Sequence, residues 1–223
     1  MIKENLILIK DKINKTCKIY GLDSSKVNII AVSKTIASQK IIEAINCGCK
    51  IFGENYVKEA QEKWPKIREH HHKIKLHLIG HLQSNKAKEA VMLFDCIQTL
   101  DSKKLATALK KEIIKQNKKI ELMVQVNIGD EDQKHGIKIS EVDDFIKYCQ
   151  DDLDLEISGV MAIPPANELA SPYFALLKKI ANRHKLSQVS MGMSNDFEEA
   201  VALGSNHIRL GTAIFGERQP SNF

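Results

Sequence analysis

The sequence has no apolar stretch that approaches the roughly 20 residues a helix needs to cross a bilayer. A signal peptide is also not indicated, because charged residues interrupt the apolar region near the N-terminus: Lys3, Glu4, Lys10, Asp11 and Lys12. The 223 residues contain no low-complexity linker. We therefore expect one soluble, cytoplasmic domain spanning residues 1–223, with no membrane partner.

Cysteine pairs with metal or redox spacing are missing as well. The chain has five cysteines, an odd number, and no two of them are separated by the two-residue spacer of a zinc knuckle or a thioredoxin-like motif. Free thiols in a reducing compartment are the simplest interpretation. Cys47 and Cys49 flank Gly48 at a predicted helix end, where buried small side chains are favoured over redox chemistry.

Aromatic residues make up only 5% of the chain, and none interleaves with the densest basic run, residues 110–119. That run is therefore predicted to be a solvated helix face rather than a nucleic-acid patch, in keeping with a net charge of only +5. The run of three histidines at 70–72 has neither metal-ligand spacing nor nearby carboxylates, which favours a solvated loop.

Short apolar runs alternate with helical patterns along the whole chain. Ile2, Leu6, Ile9 and Ile13 form one face of an opening helix that ends near Gly21. Eight β-branched segments follow, with helices between them: residues 27–33, 50–53, 75–80, 96–100, 120–128, 156–163, 187–192 and 207–211. Their continuous apolar character is typical of parallel strands buried on both faces. We predict an α/β fold, a single (β/α)₈ TIM barrel with an additional N-terminal helix. An open doubly wound sheet is the alternative.

Lys34 ends the first predicted strand, where the chemistry of such a barrel would lie. For an arbitrary lysine, a solvated strand end is the common explanation. A partly desolvated amine can instead lose its proton and attack an aldehyde, forming a Schiff base. Lys34 by itself leaves both interpretations open.

Phosphate-binding features gather after the last two predicted strands. Ser194 lies where a helix N-cap belongs, and Gly211 with Thr212 offers close backbone approach and a hydroxyl group. The alternative, which spacing leaves equally open, is that Ser194 only caps a helix and Gly211 only turns the chain. Arg209 can point into the barrel by strand alternation, where it would need an anionic or hydrogen-bonding partner.

Five blocks of sequence together resemble one family: 31–35 (AVSKT), 52–63 (FGENYVKEAQEK), 77–86 (HLIGHLQSNK), 191–196 (MGMSND) and 204–218 (GSNHIRLGTAIFGER). They closely resemble the pyridoxal 5′-phosphate (PLP) homeostasis proteins, which look like the N-terminal barrel of alanine racemase standing alone. The resemblance implies a barrel that holds PLP on a lysine and maintains vitamin B6 balance, with no well-established reaction. One small departure is the segment 205–207 (SNH), which precedes a strand and puts little in doubt.

The resemblance also implies roles for individual residues. Lys34 would carry PLP as a Schiff base, and Arg209 would lie near the pyridine nitrogen. A cation there would leave that nitrogen unprotonated and weaken PLP as an electron sink. The resemblance implies that the phosphate is bound by Ser194, Thr212 and the Gly211 backbone. It implies that Asn55 and His77 line the pocket near the ring.

Two functions are compatible with these residues. The favoured one is a PLP-binding carrier or regulator that buffers the cofactor and delivers it to apo-enzymes, without strong catalysis. The alternative is an amino-acid racemase, which needs a base on each face of the substrate α-carbon. In the resembled racemases the opposite tyrosine comes from a C-terminal domain that we expect to be absent here, and Tyr56 is predicted to face outward. We expect a monomer with PLP and apo-enzymes as partners and no nucleic-acid partner.

Overall fold

Eight parallel strands close into a barrel in the computed structural model, which describes residues 1–217. The barrel strands are β1 (Asn28–Val32), β2 (Ile51–Glu54), β3 (Lys75–Leu78), β4 (Cys96–Leu100), β5 (Glu121–Asn127), β7 (Ile157–Met161), β8 (Gln188–Ser190) and β9 (His207–Leu210), with β6 (Ile137–Lys138) added beside β5. Strand β9 pairs with β1, and β4 pairs with β5, so the sheet is closed. The predicted TIM barrel is confirmed, and the open-sheet alternative is excluded.

Helices follow the strands and cover the outside of the barrel. They are α1 (Ile2–Tyr20), α2 (Ser38–Asn46), α3 (Val57–Arg68), α4 (Ala87–Leu93), α5 (Lys103–Gln116), α6 (Val142–Lys147), α7 (Ser171–Arg183), α8 (Phe197–Ala202) and α9 (Thr212–Phe215). The predicted apolar face of α1 is buried, and Gly21 ends the helix in the left-handed region at φ 65°. Helix α1 packs against α8 and α9, and Asn5 donates a hydrogen bond from its side chain to the Ile214 carbonyl at 3.0 Å.

The sequence predicts helix N-caps at Ser38 and Ser194, because serine is a preferred capping residue, and both predictions are wrong. Ser38 is the first residue of α2 and Ala37 occupies the cap position, with no side-chain hydrogen bond. Ser194 does not cap α8, because Asp196 takes that position. For α5 the sequence predicts a cap at Asp101 or Ser102, and the structure has Ser102, whose hydroxyl accepts a hydrogen bond from the Leu105 N–H at 3.3 Å.

Gly53 lets the interior of the barrel pack tightly below the end of β1. A Cβ atom at this position would lie 2.9 Å from both Ile30 Cγ2 and Ile79 Cδ1. Real Cβ atoms do not approach other atoms so closely, so a larger residue would push these two side chains apart.

Within residues 1–217, no helix is both long and apolar enough to span a bilayer. All five cysteines are free thiols, as expected, and four of them are buried. Burial raises the pKa of Cys49 to about 11 and that of Cys149 to about 12, which makes both thiols poor nucleophiles.

Candidate functional site

A cavity of about 620 Å³ opens at the carboxyl ends of the strands. Its volume lies within the usual range for small-molecule sites. Six of the seven site residues predicted from the sequence line it: Lys34, Asn55, Ser194, Arg209, Gly211 and Thr212. They come from segments that follow or end four different strands, and the closed barrel brings these segments to one face.

Lys34 lies in a turn, and hydrogen bonds hold the residues on both sides of it: Ser33 is bonded to β2 and Thr35 to α3. The buried Ser33 hydroxyl donates a hydrogen bond to Glu54 Oε1 at 2.8 Å. The Thr35 N–H donates to Glu59 Oε1 at 2.6 Å, and Thr35 adopts the left-handed conformation at φ 61°. The turn is therefore fixed on both sides of Lys34, and the half-buried lysine is directed into the cavity.

Glu54 is the centre of this support. Its carboxylate is fully buried, and Oε1 also accepts the indole N–H of Trp64 at 3.0 Å and lies 2.8 Å from Lys63 Nζ. Lys63 in turn donates to the Ser33 carbonyl at 2.9 Å and pairs with Glu59 at 2.8 Å. Because a buried charge is stable only when it is paired and hydrogen-bonded, this network ties the Lys34 turn to α3.

Replacing Glu54→Gln should destabilise the protein by about 1.5–3 kcal/mol. The amide keeps one acceptor oxygen but removes the charge that pairs with Lys63, and hydrogen bonds to charged groups contribute about that much. Urea unfolding followed by fluorescence of Trp64, the only tryptophan, measures the change. Glu62→Gln on the exposed face of the same helix is the control and should shift stability by less than about 0.5 kcal/mol. Equal stability of the two variants would contradict this role for Glu54.

Arg209 points into the barrel, as predicted, and its partners are neutral. Its guanidinium donates to the Ser190 hydroxyl at 2.7 Å and to the Ala162 carbonyl at 2.9 Å. Burial lowers the pKa of Arg209 to about 10, and the nearby Asp196 partly opposes that shift. The side chain therefore stays cationic at neutral pH, 5% exposed, with part of its surface on the cavity wall.

His77 does not line this cavity. It lies deeper in the barrel, at the end of a buried hydrogen-bonded chain: Arg209 donates to Ser190, Ser190 donates to Gln98 at 2.6 Å, and Gln98 Nε2 lies 2.9 Å from His77 Nδ1. Its ring borders a second cavity, of about 310 Å³, at the amino ends of the strands. The predicted place of His77 in the pocket near the ring is therefore not supported by the geometry. Strand alternation correctly predicts that the His77 side chain points into the barrel. The cavity at the mouth is lined instead by Ile79, two residues later in the chain.

Ser194, Gly211 and Thr212 lie together on one wall. The Ser194 hydroxyl accepts a hydrogen bond from the Ala213 N–H at 3.2 Å, which joins the loop after β8 to the start of α9. At Gly211 a Cβ atom would meet only Val32, at 3.7 Å or more, and Val32 also lines the cavity. A side chain at Gly211 would therefore point beside the lysine turn, and the glycine leaves that wall open to a ligand.

Asn55 lines the wall next to Lys34, and its backbone is approached closely by Gly80. A Cβ atom at Gly80 would lie 2.3 Å from the Asn55 carbonyl oxygen, so only glycine allows the loop after β3 to lie against it. This contact fixes the backbone of Asn55 at the edge of the cavity.

Sequence reasoning missed the rim of the cavity between β7 and α7, along with two carboxylates after β8. Glu168, Asp196 and Glu199 line the cavity together with the apolar residues Ile163 and Leu169. Asp196 accepts a hydrogen bond from the Met193 N–H, and Glu168 accepts one from the Tyr173 hydroxyl. The only local signal for the rim was the Pro164–Pro165 pair, which interrupts the helical pattern after the strand.

Comparison with known proteins agrees with this architecture. A family model described as the N-terminal domain of alanine racemase matches residues 7–219. The alanine racemase of Corynebacterium glutamicum shares the fold, with a TM-score of 0.68 at 16% identity over 96% of this chain and 62% of that one.

Two relatives cover the whole length of the chain. The pyridoxal phosphate homeostasis protein of Pasteurella multocida is 37% identical over 230 residues, 99% of each chain. The structure of PipY from Synechococcus elongatus with PLP bound has a TM-score of 0.82 and 30% identity, covering 97% of this chain and 100% of that one. The chain therefore belongs to the pyridoxal phosphate homeostasis protein family, built on the alanine racemase N-terminal-domain fold.

Proposed function

We propose that this protein binds PLP in the cavity at the carboxyl ends of the barrel strands and acts as a carrier of the cofactor. One observation carries the proposal: a lysine, a buried arginine, and the Ser194, Gly211 and Thr212 wall line the same 620 Å³ cavity. The donor set matches the chemistry of the ligand, which has an aldehyde, a ring nitrogen and a phosphate. The full-length relatives support it, since one is named for PLP homeostasis and another is described with PLP bound.

Lys34 is proposed to hold the aldehyde. Its amine would form a Schiff base with the aldehyde carbon of PLP, with release of one water. The turn supported by Glu54 and Glu59 presents the lysine from the end of β1 into the cavity, where Ser194 and Thr212 are proposed to donate hydrogen bonds to the phosphate.

Arg209 is proposed to face the ring nitrogen. PLP supplies an electron sink for carbanion chemistry, and it does so best when the nitrogen is protonated. Arg209 offers N–H donors and no carboxylate, so it would leave the nitrogen as an acceptor. Its position is fixed by Ser190 and Ala162 rather than by the ligand. This arrangement favours retention of the cofactor over turnover.

The tyrosines support a carrier over a racemase. Within residues 1–217, which contain all four tyrosines, none lines the cavity. Tyr56 is 64% exposed, as predicted, and the Tyr173 hydroxyl donates to Glu168. No tyrosine is therefore placed to serve as a second base opposite Lys34. Carboxylates at the rim could still act as bases, and racemisation of single-enantiomer alanine tests whether they do.

The rim also supports delivery to another protein. Three apolar side chains around the mouth are exposed, Ile163 at 37%, Leu169 at 81% and Met193 at 40%, and all three line the cavity. Exposed apolar residues around a binding site are typical of protein contact surfaces. We expect the protein to act as a monomer that presents this rim to apo-enzymes.

Borohydride reduction of the PLP-loaded protein, followed by peptide mass mapping, tests the site. Reduction makes the Schiff base permanent, so a pyridoxyl group is expected on the peptide that contains Lys34. The chain has 33 lysines and arginines, many of them exposed, so selectivity for one lysine is the informative result. An adduct on another lysine, or adducts spread over many, would contradict the assignment.

Transfer and turnover assays separate the two functions. The loaded protein is mixed with an apo-PLP enzyme, and recovery of enzyme activity is compared with the same amount of free PLP. A carrier should restore activity at a rate different from that of free PLP. Incubation with single-enantiomer alanine should give no racemisation above a Lys34→Ala background. Substantial turnover that depends on Lys34 would instead favour the racemase.

A further inference from the structure

Two histidines and an aspartate meet beside the mouth of the barrel, outside the proposed cofactor site. His81 follows β3, Asp101 follows β4, and His135 lies in the loop between β5 and β6. His81 Nδ1 is 3.0 Å from Asp101 Oδ2, and the rings of His81 and His135 stack with centroids 3.7 Å apart and planes 9° from parallel. One ligand atom from each residue lies within 4.8 Å of the other two.

We propose that His81, Asp101 and His135 form a binding site for a divalent transition-metal ion, with Zn²⁺ as the probe. Two imidazoles and a carboxylate are ligands that Zn²⁺ takes at about 2.0–2.2 Å, and three protein ligands leave a position for water. Ligand atoms around such an ion are about 3.3 Å apart on that bond length. The ligand atoms are already within about 1.5 Å of that spacing, and the stacked imidazoles would turn so that both nitrogens point at the ion.

The backbones that carry the three ligands are held in place without the metal. The Thr99 hydroxyl donates to the Gly80 carbonyl at 2.9 Å, which ties the residue before His81 to the strand before Asp101. The Gln125 side chain donates to the His135 carbonyl at 3.2 Å. Because the loop after β3 is tied to β4 and the loop that carries His135 is tied to β5, an ion would bind with little loss of backbone freedom.

The charge around the site suits a cation. Asp101 is the ligand with the most buried side chain, 8% exposed, and its carboxylate faces His81. The neighbouring Lys134 is paired with Glu131 at 2.5 Å and donates to the Pro164 carbonyl at 3.2 Å, so its ammonium is engaged elsewhere. Pro164 lines the main cavity, and a bound ion would thus fix a loop that contacts the cavity rim. The metal site does not depend on the proposed PLP function.

Zinc titration by calorimetry tests the proposal, once the protein has been treated with a chelator and dialysed. The histidine run at the surface is removed first by His70→Asn, His71→Asn and His72→Asn, because three consecutive histidines can also bind zinc. This background protein should bind one Zn²⁺ per chain. His81→Asn or His135→Asn should each weaken the binding by about ten-fold or more, since loss of even an outer-shell partner costs 10–100-fold in affinity.

His184→Asn is the matched control. His184 forms the same kind of pair, with Asp143 at 2.7 Å, but within residues 1–217 no third metal-ligating side chain joins this pair. Zinc affinity should be unchanged in this variant. The proposal would be overturned if the background protein did not bind zinc. It would also be overturned if His81→Asn and His135→Asn, made in that background, left its zinc affinity unchanged. Both histidines are exposed, and circular dichroism of the variants checks that they remain folded.

Discussion

Replacing Lys34→Ala is expected to abolish covalent retention of PLP. The variant should lose the visible absorbance of the Schiff base, and reduction with borohydride should leave no pyridoxyl group on the 34-containing peptide. The Ser194, Gly211, Thr212 wall would remain, so weak, reversible binding through the phosphate should persist. We expect affinity to fall by about 100-fold or more, which corresponds to about 2.8 kcal/mol. Absorbance and equilibrium dialysis measure the two effects.

Two further variants separate the covalent bond from charge. Lys34→Arg keeps a cation in the cavity but cannot form a Schiff base, so it should behave as Lys34→Ala does. Lys40→Ala removes an exposed lysine from the next helix and should bind PLP as the wild type does. A Lys34→Ala protein that still retains PLP covalently would place the anchor on another lysine. Retention by Lys34→Arg at wild-type strength would show that charge, and not the imine bond, holds the cofactor.

The fold was predictable because both faces of each strand are buried. Residues 28–32 and 96–100 are continuous apolar or neutral runs between helical patterns, as expected for strands of a parallel sheet, whereas closure of that sheet into a barrel is seen only in the pairing of β9 with β1. Strand ends differed from prediction by a few residues at most, as at β8, which ends at Ser190 rather than at 192. Strand β6 was missed because a two-residue strand has no periodicity to detect.

Site residues at the ends of strands could be predicted from the sequence. The depth of a side chain within the barrel, and contacts between long loops, could not. Lys34 and Arg209 could be placed because parallel strands deliver their carboxyl ends to one face. Alternation shows that His77 points inward, but not at which layer of the barrel it lies. The meeting of His81 with His135, 54 positions apart in sequence, depends on how two loops fold over the barrel, which no local pattern records.

Acidification should destabilise the protein through two buried histidines. Burial, together with the nearby His207 and Lys75, lowers the pKa of His77 to about 3. Burial also lowers the pKa of His207 to about 4, where Glu121 opposes the shift, while Lys75 and Arg209 reinforce it. Unfolded histidines titrate near 6.5, so below that pH the unfolded chain binds protons that the folded protein excludes.

Because folding lowers the pKa of both histidines, the free energy of unfolding falls as the pH is lowered below the pKa of an unfolded histidine. The stability contributed by neutral His77 and His207 is fully present above about pH 6.5 and is lost as the pH falls toward 4 and then 3. Each histidine contributes a slope of at most about 1.4 kcal/mol per pH unit, so the pair loses several kcal/mol between pH 6.5 and 4. The free energy of unfolding in urea, measured at steps from pH 7 to 4.5, should fall along this slope.

The variant His77→Asn removes one of the two buried histidines and so leaves the acid sensitivity of His207 alone. The asparagine carbonyl can take the place of Nδ1 as the acceptor for Gln98, so the buried hydrogen-bonded chain through Ser190 to Arg209 is kept. The variant is expected to lose less stability on acidification, by about 1.4 kcal/mol per pH unit below pH 6. His70→Asn, at an exposed position, should follow the wild-type slope. If all three proteins lost stability in parallel, the acid sensitivity would have to come from carboxylates, and His77 would not be the neutral, desolvated group that the barrel interior implies.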